Sequence, residues 1–365
     1  MNINTIDQLM QQGVREKVFP GAVLLAASGD GIVYQKGVGK TRYAGGSPVG
    51  TDMVFDLASL TKPLATTVAV MHLVYSGQLN LDQSLGNIVD RLTLSDKSQI
   101  QIRHLLAHTS GLSAHQPYYE RLTCLPMAQR KAALRRYLVA EPLAYATGDR
   151  VVYSDLGFMM LDWVVEHITG QSLDGFLAQT VYGPLGIVDL FFPGLENGQG
   201  DRSRFSHHQY APTECCPWRH RVIEGAVHDD NAYAVGGIAG HAGLFGTAYG
   251  VFRLLSFLLS VYQGGDGRGI VDPHTVKTFW TEEPGTGRAL GFDMVSPSGS
   301  SSGDFFSPGS VGHLGFTGTS FWLDIERAMM IVLLTNRVHP SRDNDGIKQF
   351  RPRIHDQVMT CIFIR

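Results

Sequence analysis

GAVLLAASGDGIVYQKGVGKTRY, residues 21–43, reads as two β-prone runs around Ser28-Gly29-Asp30-Gly31, the composition of a tight hairpin. A second strand pair is written near the other end of the chain, in FWLDIERAMMIVLLTN at 321–336. Between these ends the pattern is helical. KPLATTVAVMHLVYSG (62–77) spaces Leu64, Val68, Met71 and Tyr75 along one face, with Pro63 in the first turn and Gly77 as a stop. IQIRHLLAHTSGL, MAQRKAALRRYLVA, SDLGFMMLDWVVEHITG and SLDGFLAQTVYGPLG follow, broken by Gly/Pro loops. A helix carrying Ile6, Leu9, Met10 and Val14 opens the chain, and IKQFRPRIHDQVMTCIF closes it as another. Strands at both ends with helices between predict an α+β fold in which the two ends share one sheet. Residues 1–85 and 236–365 are assigned to that α/β lobe and 86–235 to an inserted, mainly helical lobe, with the site between them. The Ser/Gly-rich stretch SPSGSSSGDFFSPGS at 296–310 reads as a surface loop.

Composition narrows the function. The 365 residues are 44% hydrophobic and 17% charged with a formal charge of -3, ordinary for a soluble globular protein. No Lys/Arg-rich block offers a basic face, which excludes nucleic acid and anionic membranes as expected partners and points to a small-molecule amide, peptide or ester substrate. The four cysteines are too few for a disulfide scaffold, so free thiols are expected. The N-terminus lacks a basic start followed by an apolar run, and the longest apolar stretches fall short of the ~20 residues of a membrane-spanning helix. A cytoplasmic protein is expected, or a periplasmic or secreted one if a leader was removed.

Three short motifs carry candidate chemistry. Ser59-Leu60-Thr61-Lys62 stands where the chain enters the helix at 62–77. Three residues is nearly one helical turn, which puts the hydroxyl and the amine on one face. A serine hydroxyl needs a base to attack a carbonyl, and a lysine amine serves only where burial or positive potential lowers its pKa. The helix start offers both that potential and unpaired N–H groups suited to an oxyanion. Taken alone, this spacing is equally a capped helix start. Tyr153-Ser154-Asp155 precedes the next helical run, where Ser154 or Asp155 is a sensible N-cap and Tyr153 either an amphipathic body or a proton relay with its pKa lowered by Lys62. Gly312-His313-Leu314-Gly315-Phe316-Thr317-Gly318-Thr319 precedes a strand and is either a turn or an edge that aims an N–H at a substrate carbonyl.

Together and in this order the three motifs resemble the serine β-lactamase-like family of class C β-lactamases, DD-peptidases, penicillin-binding-protein-like esterases and D-aminopeptidases, whose pattern is S-x-x-K, Y-x-N and K/H-x-G. IQIRHLLAHTSGL at 100–112 is similar to the family phrase ITIRHLLTHTSGL. The likeness runs from about Phe19 to Leu334. It implies a β-lactamase/transpeptidase-like fold with an antiparallel sheet flanked by helices, and a serine hydrolase that works through a Ser59 acyl-enzyme without cofactor or metal. By the same likeness Lys62 is the proton acceptor, Tyr153 assists, His313 and Gly315 line the site, and the N–H groups of Ser59 and Phe316 form the oxyanion hole. Two positions depart from the pattern. Asp155 stands for the usual Asn, replacing an amide donor by a carboxylate that also pushes the Lys62 pKa upward. Leu314 removes the threonine hydroxyl that contacts a substrate carboxylate, a role left open for Thr317 or Thr319. Both departures tilt the reading away from β-lactam and DD-carboxypeptidase specialisation.

The stretch Gly225-Ala226-Val227-His228-Asp229-Asp230-Asn231-Ala232, followed by Gly240-His241-Ala242-Gly243-Leu244-Phe245, is similar to a subgroup that includes exo-acting N-acetylmuramoyl-L-alanine amidases. A peptidoglycan-derived muropeptide is then a candidate substrate, with His228 and Asp229 beside it. A capped loop is the equal alternative for these residues. A carboxylesterase or β-lactamase of the same family, or a binding or sensor module that has lost turnover, are the competing functions. Three decoys are set aside: Gly299-Ser300-Ser301-Ser302-Gly303 lacks the strand and helix of a nucleophile elbow. Lys40 lacks the upstream glycine of a phosphate loop, Tyr34 standing there. His104, His108, His207, His208, Cys215, Cys216, His220 and His228 lack zinc spacing.

Overall fold

The computed structural model describes residues 3–29, 31–195 and 209–364; His207 and His208 fall outside them. Its main sheet has eight antiparallel strands. They are β1 (Gly21–Ser28), β2 (Gly31–Gly39), β3 (Glu282–Glu283), β4 (Arg288–Ala289), β5 (Phe292–Met294), β6 (Val311–Leu314), β7 (Ser320–Asp324) and β8 (Met329–Thr335), in the spatial order β2-β1-β8-β7-β6-β5-β4-β3. The hairpin at 28–31 forms as expected, with Ser28 opposite Gly31. The two ends of the chain do share the sheet: Leu24 pairs with Leu333 in the β1–β8 register.

Six of the helices are α1 (Ile3–Arg15), α2 (Val68–Tyr75), α3 (Met127–Ala140), α4 (Asp155–Thr169), α5 (Ala248–Tyr262) and α6 (Ile347–Val358). Because strand side chains alternate, β1 feeds two cores. Val23 and Leu25 join the large core that also holds α2, α4 and α5, whereas Leu24 and Ala26 join the one beneath α1 and α6. Trp322 on β7 belongs to the second core, and Gly312 opposite it is a glycine for a reason: a Cβ there would lie 2.4 Å from the indole. The helix expected from residue 62 begins with a wider π-type turn, Lys62–Thr67, and continues as α2; Gly77 ends it at φ 71°. Among the described residues no helix is long and apolar enough to cross a membrane, and all four cysteines are free thiols.

One expectation fails. The 296–310 stretch is not simply a surface loop, because Ser300, Ser302, Phe306, Ser307 and Ser310 are buried. The Ser307 N–H and hydroxyl both donate to the Asp324 carboxylate, and Phe306 packs on Trp322. Small side chains with hydroxyls suit a segment folded onto a strand end as well as they suit solvent, so composition alone misread it.

Candidate active site

Ser59 lies in a single 3-10 turn, Ala58–Leu60, that runs directly into the Lys62 turn. The residue before it, Ala58, is held at φ 48°, a left-handed conformation that costs a residue with a Cβ. Buried Asp56 holds it there. Its Oδ1 accepts the Ala58 N–H at 2.9 Å and its Oδ2 the His228 N–H at 2.6 Å. The Thr61 hydroxyl donates to the Ala58 carbonyl (2.6 Å) and accepts the Leu244 N–H (3.0 Å). Asp56→Ala is therefore expected to leave two buried N–H groups unpaired and to cost about 2–4 kcal/mol in urea unfolding, with Asp56→Asn losing less because one amide oxygen still accepts.

The Lys62 side chain is fully buried. Its Nζ lies 3.1 Å from Ser59 Oγ, 3.0 Å from the His241 carbonyl and 2.7 Å from Asp155 Oδ1. Burial opposes the ammonium, yet the Asp155 carboxylate and the Tyr153 phenol outweigh it, and the amine pKa ends well above its ordinary value. The Asp155 carboxyl is held far below the usual range: burial works against its charge, and Lys62 and His115 (Nδ1 3.5 Å from Oδ2) overcome that. The resting pair is an ion pair, the direction foreseen for Asp155.

Tyr153 reaches both partners. Its ring centroid is 5.0 Å from Lys62 Nζ and its phenol interacts with Lys62 and Ser59. The residue is 38% exposed, but the phenol oxygen is turned inward, and its burial raises the pKa more than Lys62 lowers it. The lowered phenol expected from the sequence is thus corrected: desolvation wins, and the group rests protonated. Its platform is His108, whose ring lies 4.5 Å away and whose Nδ1 accepts the Ser154 N–H at 3.0 Å. Ser154 in turn caps α4 by accepting the Gly157 N–H.

His313 stands 6.0 Å from the Tyr153 ring, centroid to centroid. A carbonyl can only accept, so the 2.9 Å contact with the Leu314 oxygen places the proton on Nδ1 and leaves Nε2 a bare acceptor. That Nε2 is buried with no partner among the described residues, and burial pushes the imidazole down to about 4, so it is neutral. The loop that follows is tied to the segment Asp56–Leu57 that leads into Ser59. The Thr317 hydroxyl donates to the Asp56 carbonyl (2.8 Å), the Thr319 hydroxyl to the Leu57 carbonyl (3.0 Å), and the Gly315 N–H to the Thr319 carbonyl (2.7 Å). The N–H groups of Ser59 and Phe316 are unpaired among the described residues.

Of the remaining expected residues, Asp229 accepts from His241 Nε2 (2.9 Å) and caps the short helix Asp230–Ala234. His228 is buried, paired with Glu214 (3.2 Å) and stacked 5.6 Å from the half-exposed Phe316 ring, so it meets the site through Phe316. Asp56, His108, His115 and His241 were not singled out as site residues. His108 stood inside the quoted HTSGL phrase and His241 beside the quoted GHAGLF; Asp56 and His115 had no signal beyond their type. Among the described residues no three His, Cys, Asp or Glu side chains gather as a metal site.

A hydroxyl, an amine and a phenol from two distant segments, meeting beside His313 of an antiparallel sheet, define a serine hydrolase of the β-lactamase/transpeptidase-like fold. The beta-lactamase family model matches residues 6–352, and the chain belongs to that family. It is 32% identical over 369 residues to a "Putative D-alanyl-D-alanine carboxypeptidase" of Escherichia coli O157:H7, covering 92% of this chain and 82% of the relative. The K12 protein of the same name is 31% identical over the same coverage. Among solved structures, an octameric penicillin-binding protein homologue from Pyrococcus abyssi shares the fold at a TM-score of 0.75 and 19% identity, covering 99% of this chain and 77% of that one. EstCE1, a hydrolase with promiscuous acyltransferase activity, does so at 0.74 and 22%, covering 98% of each.

Proposed function

We propose that Ser59 is the acylated nucleophile of an amidase acting on peptidoglycan-derived muropeptides. Lys62, as the free amine, takes the Ser59 proton as Oγ attacks the carbonyl. The Tyr153 phenol gives its proton to the leaving nitrogen or oxygen and recovers one from the Lys62 ammonium. The unpaired N–H groups of Ser59 and Phe316 receive the developing oxyanion. Water then releases the acyl group by the same steps in reverse.

The observation that carries the substrate reading is the fate of two hydroxyls. Thr317 and Thr319 were candidates to replace the hydroxyl missing at Leu314, yet they donate to the backbone carbonyls of Asp56 and Leu57. A terminal D-Ala carboxylate thus has no hydroxyl to meet in this loop, which favours a muropeptide over the D-Ala-D-Ala end named for the relatives. A carboxylesterase is the second reading, favoured by the open aromatic edge of Phe316 and Tyr153. Mass spectrometry after incubation with a muramoyl-peptide, an acyl-D-Ala-D-Ala peptide and a short-chain p-nitrophenyl ester separates these. Release of the peptide from the muramoyl group, with an acyl adduct on Ser59, is the expected result. Faster loss of D-Ala overturns the substrate, turnover of the ester alone favours the esterase, and absence of any Ser59 adduct overturns the nucleophile.

A further inference from the structure

Arg337 follows β8, outside the motifs discussed so far, and it is buried. Among the described residues its guanidinium hydrogen-bonds only to backbone oxygens. Nε donates to the Phe316 carbonyl at 2.8 Å, and Nη1 donates to the Arg342 carbonyl at 2.9 Å and to the Asn344 carbonyl. Its own N–H donates to the Thr317 carbonyl at 3.1 Å, and Cζ lies 4.6 Å from the centroid of the Phe316 ring. No carboxylate forms an ion pair with it among the described residues. A buried guanidinium whose Nε and Nη1 donate to carbonyls is costly to keep charged: burial lowers its pKa, and the charge of Asp345 works against that.

What that arrangement does is set by where it points. The residue it grips, Phe316, carries the N–H assigned above to the oxyanion. We propose that Arg337 is a positioning residue for the oxyanion hole: by holding the carbonyls of Phe316 and Thr317 it fixes the backbone that carries the Phe316 N–H, and it sets a guanidinium beside that segment. The inference rests on the reading of Phe316 given under the proposed function. Negative charge exists at the oxyanion position only as the tetrahedral adduct forms, so a nearby positive charge favours that state over bound substrate. Rigid attachment through Nε and through the Thr317 carbonyl also keeps the Phe316 N–H from turning away when the cleft is empty. Neighbouring Arg351 grips the other end of the same loop, its Nη2 donating to the Thr319 carbonyl at 3.2 Å.

The test uses Arg337→Met and Arg337→Lys in the full chain, with a short-chain p-nitrophenyl ester as substrate and an arylboronic acid as the tetrahedral mimic. Arg337→Met is expected to lower kcat about 10- to 100-fold with KM within about twofold, and to weaken boronate binding by the same factor as kcat/KM. Arg337→Lys keeps the charge while losing the fork, and is expected to recover part of both. Unchanged kcat and boronate affinity in the Met variant overturn the proposal. So do equal losses in both variants that follow KM and the thermal midpoint, the mark of a purely structural side chain. If the Met variant fails to fold, an Arg337→Lys protein with wild-type Tm and unaltered boronate affinity overturns it as well. Loss of the Ser59 adduct in the wild type would instead strike the nucleophile assignment, a result separable from these.

Discussion

Lys62→Met is expected to slow Ser59 acylation by about 10²–10⁴-fold, the usual contribution of a positioned proton acceptor. Binding should survive, since Lys62 is fully buried and meets substrate only through Ser59; the loss falls on kcat. The variant also strips Asp155 of its buried cation. The wild-type carboxyl is held far below its unfolded value, so the ion pair contributes stability above the unfolded carboxyl pKa, and this is lost as pH falls through the folded one. Lys62 is the mirror case. With its folded pKa raised, its share is complete below the unfolded lysine value and fades as pH climbs through the folded value. Removing one member of a buried pair costs about 3–5 kcal/mol, so urea unfolding at neutral pH must accompany the kinetics. Stopped-flow release of p-nitrophenol measures the chemical step, and a rate within tenfold of wild type would remove Lys62 from the role.

Asp155→Asn is expected to act in the opposite direction on chemistry. A lysine held as ammonium accepts no proton, so the wild-type acylation rate should climb through the alkaline range as the amine is freed. Replacing the carboxylate by an amide removes the opposing charge 2.7 Å from Nζ, which lowers the lysine pKa and moves the rising limb toward neutrality. At pH 7 the acylation rate with a small activated ester should rise by about tenfold or more. Stability should fall at the same pH by about 1–3 kcal/mol, less than for a fully broken buried pair because an amide oxygen still accepts from Nζ. A pH–rate profile that coincides with wild type would show that Asp155 does not govern the Lys62 proton.

Why some of this was legible in the sequence and some was not follows from how each feature is encoded. Four of the eight strands were readable because they form two local hairpins with alternating or β-branched runs, whereas β3, β4 and β5 are two or three residues long and too short to carry a pattern; the helix at 62–77 was readable because Pro63 and Gly77 punctuate it. Ser59, Lys62 and Tyr153 were legible only as an ordered set of weak motifs. The electrostatics were half legible. That Asp155 would charge Lys62 follows from residue type at a known position, but the raised phenol of Tyr153 depends on how deeply its oxygen is turned inward, which no spacing reports. Asp56 and Arg337 were invisible for a further reason. Each acts on backbone groups of residues remote in the chain, Asp56 on the His228 N–H and Arg337 on the Phe316 carbonyl, and a side chain that serves the main chain leaves no partner pattern to find. The 296–310 stretch failed because hydroxyls that cap a buried strand end look the same as hydroxyls facing water.

The pairing of Leu24 with Leu333, one strand in from the edge of the sheet, has a consequence for biosynthesis. A ribosome that has already released the first hairpin must extend nearly the whole polypeptide before that hairpin's second neighbour exists. Until then β1 presents a bare hydrogen-bonding edge rich in Val, Leu and Ala. Contacts so remote along the chain also make for slow closure once synthesis is complete. Overexpression is therefore expected to yield more inclusion bodies at full translation speed than when translation is slowed or cooled.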